Sequence, residues 1–533
     1  MPHTDLELAA RYEFGGQDIP ALLARTAQGR GNHPFMIWEP GSGRDRTWTY
    51  GAFWREVQAV AAGLAGRGVG VGDRLLIHGD NSPEMVIAWY ASAVVGATAV
   101  TTGTHSTQTE LDYFIEQAEP VAAITQPRYA HLLKAHASRL AWIAVTDNDA
   151  GDPPAPADAD HGQATFEALY GDPAQAPRRK PDPLLPIGIV FTSGTTSRPK
   201  AVVHTHANIL WAARLLPLQF DFKPEDVHLA QMPFYHLNAQ TWTIAVALGA
   251  GGAFLLLPRF TVTRYWEVVA KHGVTHSAVM PLLVNGVGPR PPLDQLRLKV
   301  FTGSGDYAEA FARSCGARLM GCYGMSELVA PVLTTGFSDI WAPNTLGRPT
   351  PGYQVMAVDQ DSGRPCGFGE IGELLVRATR GVRIFSGYFR NDEANAKAFT
   401  EDGWFRTGDI VRLGEDGDFY YQDRGADRLK VGGENVSALE IERLIASVPG
   451  VGEVAVVAKP DPALFEVAVA FVVRGEGAPQ EGALRETVLA LCGERLSRFK
   501  VPRRVYFLAA LPKLAIAGKI AKPELRKMAA ALD

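Results

Sequence analysis

The stretch from residue 50 to residue 101 alternates between helical and strand-like patterns. An amphipathic segment runs from Tyr50 to Gly66, an apolar run follows at residues 74–78, and residues 81–83 open a second helical pattern that leads into an apolar run at residues 97–101. Apolar strands separated by such helices are typical of βαβ units, in which helices cover a parallel sheet. The chain is therefore predicted to contain a doubly wound α/β sheet.

Four further apolar runs predict a second sheet of the same kind. They lie at residues 187–192, 252–257, 278–281 and 300–303, again between helical patterns. The preceding segment 147–186 is rich in Ala, Pro and Asp and has little periodicity, which indicates a surface excursion. With 533 residues the chain exceeds the usual size of one hydrophobic core, so several units of about 100–200 residues are expected.

The sequence pattern changes at about residue 347 and again after Arg424. Between these positions, short alternating runs separated by turns are typical of hairpins in a small β-barrel or sheet. After Arg424 a compact α/β pattern begins, so we predict an N-terminal domain over residues 1–424 and a small C-terminal domain over residues 425–533. The C-terminal elements expected are a helix at 438–447, strands at 451–459 and 466–474, a helix at 481–496 and a strand at 504–507.

Composition narrows the class of protein. Hydrophobic residues make up 46% of the chain and charged residues 20%, which is typical of a soluble globular protein. The net charge of −5 gives no basic field for nucleic acid, and the four cysteines lack the spacing of a zinc or disulfide framework. The N-terminus does not resemble a secretory signal, and the longest apolar run, 244–258, is too short for a membrane span of about 20 residues. This run is predicted to form a buried helix, a turn and a buried strand. A cytoplasmic protein is expected.

The most specific local signal is the segment IVFTSGTTSRPK at residues 189–200. A buried strand runs into five hydroxyl residues and one glycine between residues 192 and 197, followed by Arg-Pro-Lys. Backbone N–H groups of such a turn form an anion-binding nest, the hydroxyls add donors, and the lysine adds a positive charge. The segment predicts a polyphosphate site made of Thr192, Ser193, Gly194, Thr195, Thr196 and Lys200.

The TSGTTSRPK part of this segment resembles the phosphate-loop signature of the adenylate-forming superfamily. That superfamily contains acyl-CoA synthetases, peptide-synthetase adenylation domains and beetle luciferases. Further segments similar to its signatures follow in the same order over essentially the whole chain, and the loop with GGENVS is most similar to the crotonobetaine/carnitine:CoA ligases. These segments are MPFYH at 232–236, YGMSE at 323–327, GWFRTGD at 403–409, Asp423-Arg424, GGENV at 432–436 and Gly518-Lys519.

The resemblance implies an enzyme that uses ATP, Mg²⁺ and coenzyme A and whose small C-terminal domain is mobile. A carboxylate and ATP would first give acyl-AMP and pyrophosphate, and acyl-AMP and CoA would then give acyl-CoA and AMP. In the first step Lys519 would offset charge in the transition state. The domain would then rotate about a hinge at Ala426 and present Gly432 and Gly433 to the pantetheine arm. The catalytic residues implied are Lys519, Lys200, Glu327 and His236.

The nucleotide site implied by the resemblance uses side chains suited to each part of ATP. Asp409 offers two acceptor oxygens to the ribose hydroxyls, and Glu327 with Thr192 could hold Mg²⁺, which prefers few protein oxygens beside phosphates. Tyr323 and Tyr421 would enclose the adenine. The other residues implied are Gly303, Ser304, Gly305, Cys322, Gly324, Met325, Ser326 and Arg424.

The acyl pocket implied by the resemblance has several small residues, which favours a bulky apolar or cyclic acid. No basic residue is evident to hold a second carboxylate. His204 and His206 have an H-x-H spacing, but no third ligand for zinc is evident. The pocket residues are His236, Asn238, Ala239, Trp242, Met280, Gly303 and Val329.

The chain departs from the family pattern at residues that serve the first half-reaction. Ser197 and Ala201 stand where glycine is usual, and Ala515 and Ala517 replace hydroxyl residues near Lys519. One hypothesis is that adenylation is weak or lost and that the enzyme converts an acyl-adenylate made by a separate adenylating enzyme; neutral drift is the alternative. A carrier-protein-loading enzyme and a non-catalytic adenylate-binding protein are further alternatives, and a homodimer is left open.

Overall fold

The computed structural model arranges nine described stretches of the chain around four β-sheets. Two sheets carry helices on their faces, a third is antiparallel, and the fourth belongs to the C-terminal part. This arrangement confirms the predicted α/β class with two helix-flanked sheets. No helix among the described residues is both long and apolar enough to span a membrane. The described residues are 12–151, 164–192, 199–303, 306–337, 345–360, 362–424, 428–475, 477–512 and 520–532.

The first half of the chain alternates strands and helices, as the pattern predicts. Its strands are β1 (Pro34–Trp38), β2 (Arg46–Thr49), β3 (Arg74–His78), β4 (Thr98–Thr102), β5 (Ala122–Thr125), β6 (Ile143–Val145), β7 (Ala164–Thr165), β8 (Pro186–Thr192), β9 (Lys200–Thr205), β10 (Val227–Ala230), β11 (Ala253–Leu256), β12 (His276–Ala278), β13 (Val300–Thr302) and β14 (Arg318–Met320). Its helices are α1 (Ile19–Arg30), α2 (Tyr50–Gly66), α3 (Pro83–Val95), α4 (Gln108–Ala118), α5 (Pro127–Leu133), α6 (His206–Phe220), α7 (Val246–Ala250), α8 (Tyr265–Lys271), α9 (Pro281–Gly286) and α10 (Asp306–Ser314).

The second half begins with a β-rich part and ends with a compact α/β part. The β-rich part holds β15 (Cys322–Tyr323), β16 (Leu333–Thr334), β17 (Thr345–Pro349), β18 (Gln354–Val358), β19 (Ile371–Arg377), β20 (Gly387–Tyr388), α11 (Asp392–Ala398), β21 (Phe405–Leu413) and β22 (Phe419–Arg424). The α/β part holds β23 (Arg428–Val431), β24 (Glu434–Ser437), α12 (Ala438–Ala446), β25 (Val451–Asp461), β26 (Phe465–Arg474), α13 (Glu481–Arg495), β27 (Arg504–Phe507) and α14 (Lys522–Ala531).

The strand orders show which parts of the chain come together. The first sheet runs β20-β9-β8-β4-β3-β5-β6-β7 and the second β14-β13-β12-β10-β11-β1-β2. The third runs β15-β16-β17-β22-β21-β19-β18, and the fourth runs β24-β23-β26-β25 with β27 beside β26. β22 and β23 thus belong to different sheets although only three residues separate them. The proposed division at residues 424 and 425 coincides with this change of sheet and stays a prediction.

One sequence expectation about the sheets is wrong. Residues 187–192 form β8, which lies in the first sheet beside β4, where Ile189 pairs with Val100. A short apolar run indicates a strand that is buried on both faces, but it does not indicate which strand lies beside it. The runs at 252–257 and 300–303 contain β11 and β13 of one sheet, whereas the run at 278–281 overlaps β12 of that sheet only at Ala278 and was predicted too far along the chain.

The core between the two helix-flanked sheets is almost entirely apolar. Helix α3 is buried on nearly all sides, and its Tyr90 meets Phe53 edge-on with ring centroids 5.3 Å apart. Phe35 of β1 meets Phe254 of β11 edge-on at 5.1 Å. A helix that is hydrophobic all round is typically buried on every side. Helix α3 contacts β3 and β4 of the first sheet, and its Tyr90 meets Phe35 of the second, so it packs between the two sheets.

Candidate active site

The predicted phosphate loop connects β8 to β9, an antiparallel pair at one side of the first sheet. Thr192 and Lys200 pair across the two strands and bring the ends of the loop together. The Lys200 ammonium lies 4.7 Å from the ring centroid of Tyr388, and the Tyr388 hydroxyl donates to Glu327 Oε1 at 3.0 Å. The structure thus connects Lys200 with the predicted metal ligand Glu327 through Tyr388, a residue that the sequence reasoning missed.

Two main-chain carbonyls of the YGMSE turn accept hydrogen bonds that hold the turn beside the first sheet. The carbonyl of Glu327 accepts from the Phe385 N–H at 2.8 Å, and the Glu327 side chain is only 3% exposed. His204 of β9 donates from Nε2 to the Ser326 carbonyl at 2.7 Å. Burial lowers the pKa of His204 to about 4, so the ring is neutral and acts as a fixed donor. His206, its neighbour in the H-x-H spacing, accepts at Nδ1 from the Ile19 N–H instead.

The predicted ribose ligand lies in a buried turn of the third sheet. Asp409 of β21 is 1% exposed, and its Oδ2 accepts a 2.5 Å hydrogen bond from the Tyr323 hydroxyl on β15. Gly408 has φ +72°, a conformation that favours glycine and turns the strand toward this contact. Tyr421 lies half-buried on β22, and Asp409 pairs with Arg424 in register. The structure therefore joins the YGMSE and GWFRTGD segments, which are far apart in sequence.

The predicted acyl pocket contains an unusual helix, and side chains of this helix donate hydrogen bonds to the carbonyl of a residue with a strained backbone. Residues 239–245 form a π-helix, a wide turn that is rare outside functional sites. Within it, Thr241 Oγ1 and Trp242 Nε1 each donate to the Val329 carbonyl at 3.1 Å. Val329 has φ +67°, which is costly for a β-branched residue and persists only when its surroundings hold it.

Trp242 also limits the space beside the YGMSE turn. A Cβ atom placed on Gly324 would come within 2.9 Å of the Trp242 ring, so only glycine allows this close approach. Gly303 follows β13, and Met280 caps the first turn of α9; both are half-buried, as is Asn238, whereas Ala239 is buried. Cys322 pairs with Thr334 at the edge of the third sheet. No sequence signal predicts the π-helix, because helix periodicity does not distinguish it from an α-helix.

The MPFYH segment is held at the C-terminal end of β3. Asn81 is buried; its Oδ1 accepts from the Phe234 N–H at 2.6 Å and its Nδ2 donates to the Met232 carbonyl at 3.4 Å. Asn81 opens the Asn-Ser-Pro sequence before α3, where it signals only the start of a helix. Its contacts with Met232 and Phe234, which lie 151 and 153 residues further along the chain, depend on the fold and have no local sequence pattern.

The glycine turn of the C-terminal part lies against the same segment. Gly432 and Gly433 connect β23 to β24 with φ values of +59° and +93°. A Cβ on Gly433 would lie 3.9 Å from the Met232 side chain. Glu434, the next residue, accepts a 2.7 Å hydrogen bond at Oε1 from His236 Nε2. The turn predicted to guide the pantetheine arm therefore lies at the predicted acyl pocket.

The His236–Glu434 contact changes the protonation of both groups. Burial opposes a charge on His236, but the attraction and hydrogen bond of Glu434 outweigh it, and the pKa of His236 is raised above 6.5. Burial likewise opposes a charge on Glu434, and His236 outweighs it, so the pKa of Glu434 is lowered from 4.5. At pH values between the lowered pKa of Glu434 and the raised pKa of His236, the contact is an ion pair between the two parts of the chain.

Several predicted residues lie outside the described part of the chain. Ala201, one of the departures from the family pattern, is described: it is buried in β9 with no positive φ, so its methyl group causes no backbone strain. The side chain of Arg424 is not among the described groups, although its backbone is. Outside the described residues lie Ser193, Gly194, Thr195, Thr196, Ser197, Ser304, Gly305, Ala426, Ala515, Ala517 and Lys519.

Comparisons with known proteins give the family. The family model described as AMP-binding enzyme matches residues 23–389, and the AMP-binding enzyme C-terminal domain matches residues 440–519. Crotonobetaine/carnitine–CoA ligases of Escherichia coli O7:K1 and Shigella dysenteriae serotype 1 are each 31% identical to the chain over 528 residues, covering 96% of it and 99% of the relative.

Solved structures agree with this assignment. ATP-bound MatB from Rhodopseudomonas palustris is 26% identical with a TM-score of 0.68, covering 96% of this chain and 98% of that one. A Mycobacterium tuberculosis fatty acyl CoA synthetase is also 26% identical, with a TM-score of 0.66 and the same coverage. The amide bond synthetase McbA from Marinactinospora thermotolerans is 25% identical with a TM-score of 0.77, covering 95% of this chain and 99% of that one. The chain belongs to the AMP-binding, adenylate-forming enzyme family and is a ligase of the acyl-CoA synthetase kind.

Proposed function

We propose that this enzyme converts a carboxylic acid into its CoA thioester in two steps at one site. In the first, a carboxylate oxygen attacks the α-phosphorus of ATP, and pyrophosphate leaves. In the second, the sulfur of CoA attacks the acyl carbonyl carbon, AMP leaves with the electron pair of the broken bond, and the thiol proton passes to solvent. AMP, pyrophosphate and acyl-CoA form in equal amounts.

The observation that carries the proposal is the position of the Gly432–Gly433 turn. The turn lies against Met232, and the next residue, Glu434, binds His236 at the mouth of the predicted acyl pocket. Glycines with positive φ leave room for a narrow thiol-bearing chain beside the backbone. This arrangement supports the thioester-forming step, because a thiol passing the turn would approach the predicted acyl pocket.

The charged groups near the phosphate loop suit the adenylate-forming step. Glu327 is a buried carboxylate, and Lys200 provides a positive charge on the other side of Tyr388. One carboxylate and the Thr192 hydroxyl form the sparse donor set that Mg²⁺ uses together with phosphates, so the residues fit this ion. When bound, Mg²⁺ would neutralise charge on the polyphosphate. Glu327 and Thr192 would hold it, while Lys200 would bind phosphate oxygens.

The two steps require two positions of the C-terminal part. The glycine turn lies against Met232, whereas the proposal requires Lys519 at the same pocket in the first step, where its ammonium would offset charge on the pentacoordinate phosphorus of the transition state. We propose that the part after residue 424 rotates between the steps, and that residue 426 lies at the hinge. Alternation lets one pocket exclude water in both steps while different residues line it.

The acids to test first follow from the relatives and from the pocket. Crotonobetaine and carnitine are named for relatives that are 31% identical. Trp242 closes one side of the pocket over Gly324, which favours a compact acid over a long chain. Benzoate therefore represents the cyclic acids that the small pocket residues favour.

A second candidate is an enzyme whose adenylation step is weak. Ser197, Ala515 and Ala517 favour it, although the unstrained Ala201 does not. Both candidates are tested with crotonobetaine, carnitine and benzoate plus ATP and CoA, in parallel with their preformed adenylates plus CoA. Thioester from both sets supports the full ligase. Thioester from the adenylates alone supports the second candidate, and thioester from neither contradicts both.

A further inference from the structure

A buried cluster of charges links the C-terminal part of the chain to helix α4. Lys500, which lies between α13 and β27, is 5% exposed. Its Nζ donates to Glu110 Oε1 at 2.5 Å and to Glu440 Oε1 at 3.0 Å. Ser497 Oγ donates to Glu110 Oε2 at 2.6 Å. Glu110, Glu440, Ser497 and Lys500 are called the Lys500 cluster below.

The Glu110 carboxylate is fixed on its own side before the C-terminal part reaches it. Thr107 and Glu110 form a capping box at the start of α4, in which Glu110 Oε2 accepts from the Thr107 N–H at 2.9 Å. The box holds the carboxylate in one direction relative to the helix. The other three members all belong to the part after residue 424, so Glu110 is a fixed acceptor to which that part docks.

The cluster lies close to the site. One cavity of about 80 Å³ is lined by Glu110, Ser497 and Lys500 together with His236 and Glu434. Glu434, the residue that follows the glycine turn, and three members of the Lys500 cluster therefore border the same space between the two parts of the chain. A change in how Lys500 docks against α4 would move the turn relative to the acyl pocket.

The burial of these charges makes the contact sensitive to the position of the C-terminal part. Lys500 lies between two carboxylates, and the desolvation of its ammonium is opposed by both. A buried ion pair adds little net stability over exposed charges, but removal of one partner is strongly unfavourable because a buried charge is left alone. The cluster thus tolerates the arrangement in which all members meet and disfavours nearby arrangements in which one is missing. When the parts separate, Glu110 leaves Lys500 and Ser497, whereas Lys500 and Glu440 stay on the same part of the chain.

We propose that the Lys500 cluster is the lock that holds the C-terminal part in its thioester-forming position, with Lys500 and Glu110 as positioning residues. The proposal rests on the two-step function above. These residues would affect the second half-reaction alone, because the contact between Lys500 and Glu110 would be broken when Lys519 occupies the site.

The main test compares the two half-reactions in Lys500→Met, which leaves two buried carboxylates facing each other. Pyrophosphate release from benzoate or crotonobetaine with ATP is measured without CoA, and thioester formation is measured from the preformed adenylates with CoA. We expect thioester formation to fall about 100-fold, because a less populated docked state lowers the rate in proportion, while pyrophosphate release stays at the wild-type level. That intact first step also shows that the variant is folded.

Three further variants sharpen the test. Glu110→Gln keeps the capping box and leaves Lys500 paired with Glu440, so about a fivefold loss in the second step is expected. The triple variant Glu110→Gln, Glu440→Gln, Lys500→Met carries no buried charge, and we expect it to recover most of the rate lost in Lys500→Met. Arg495→Ala is the matched control, because Arg495 touches Thr109 of the same helix at the exposed rim; no change is expected.

The outcomes separate the lock from the proposed function. If wild-type enzyme forms no thioester from any acid or adenylate, the two-step function fails. If wild-type enzyme forms thioester and Lys500→Met does so equally fast, the lock is wrong. Equal losses of both half-reactions in Lys500→Met and in Glu110→Gln, or a triple variant no faster than Lys500→Met, would also overturn it.

Discussion

The core of the N-terminal domain and its interface with the C-terminal part are stabilised in opposite ways. Around α3 the contacts are apolar, with Tyr90, Phe35 and Phe254 meeting edge-on. At the interface, aromatic contacts such as Tyr307–Phe465 are joined by buried charged contacts, as in His236–Glu434 and Lys500–Glu110. Apolar burial is non-directional and permanent in a folded domain, whereas an ion pair is directional and both partners regain water when it opens. The difference suits the proposed rotation, in which the C-terminal part docks at a fixed pocket in one step and leaves it in the other.

The largest effect is expected in the core. Phe254→Ala removes a ring that is fully buried against Phe35, so the free energy of unfolding should fall by about 3–5 kcal/mol. Urea unfolding followed by tryptophan fluorescence measures the change, with exposed Phe368→Ala as the matched control. The ratio of the two half-reaction rates should stay unchanged. A shifted ratio would contradict the division between core and interface.

Lys519→Ala should have the next largest effect, on the first half-reaction alone. Loss of one donor to transition-state charge should slow pyrophosphate release about 100- to 1,000-fold. Thioester formation from a preformed adenylate should stay within about threefold of wild type, since Lys519 has then left the site. Lys513→Ala, a lysine of the same segment, is the control. Equal rates of pyrophosphate release in Lys519→Ala and wild type would show that this lysine has no role.

Glu434→Gln should slow the second half-reaction about tenfold, because the charge that stabilises protonated His236 is lost. Exposed Glu486→Gln on α13 is the control and should be silent. Rates from preformed adenylate plus CoA measure the effect. A variant as fast as wild type would show that the His236–Glu434 pair does not hold the turn at the pocket.

The same pair predicts a pH dependence with a definite sign. Because docking raises the pKa of His236 above 6.5, its contribution is fully present below pH 6.5 and is lost as the pH rises through the raised pKa. The lowered pKa of Glu434 sets the acid limit, below which the pair is lost again. The wild-type to Glu434→Gln rate ratio cancels ionisation of the CoA thiol. This ratio should fall as the pH rises above 6.5, and a flat ratio would contradict the assignment.

The smallest effect is expected at the acyl pocket. Trp242→Phe removes one of two donors to the Val329 carbonyl and leaves a smaller aromatic ring, so KM for the acid should rise about threefold with little change in stability. Trp266→Phe removes an equivalent bond to the Gly288 carbonyl near Phe311 and serves as the control. An equal rise in KM in both variants would remove the special role of Trp242.

Local patterns predicted much of the C-terminal part. The helices near 438 and 481 and the strands near 451, 466 and 504 are confirmed within one or two residues, because each has a clear period and a turn at both ends. Helix α14 was missed, since its polar residues hide a narrow apolar face. The apolar stretch at 244–258 is confirmed as helix, turn and strand: α7 ends at Ala250, Gly251 follows with φ +76°, and β11 begins at Ala253.

The site was less predictable than the fold, because its contacts join distant residues. The motifs supplied Glu327, Asp409 and Tyr323. The bond from Tyr388 to Glu327 depends on how the first sheet packs against the YGMSE turn, and the bond from Tyr323 to Asp409 depends on how distant strands meet in the third sheet. Asn81, the π-helix and the charges of the Lys500 cluster lie outside the family-like segments. A buried charge pair leaves no local pattern, since each residue alone is typical of a solvated helix end.

The most direct measurement is a single-turnover experiment with excess enzyme, radiolabelled acid and ATP, with CoA added after a delay. The two-step account predicts that labelled acyl-AMP accumulates with one equivalent of pyrophosphate and then decays into acyl-CoA at the rate at which AMP appears. Acyl-AMP that persists after CoA is added, or acyl-CoA that forms without prior pyrophosphate release, would contradict it.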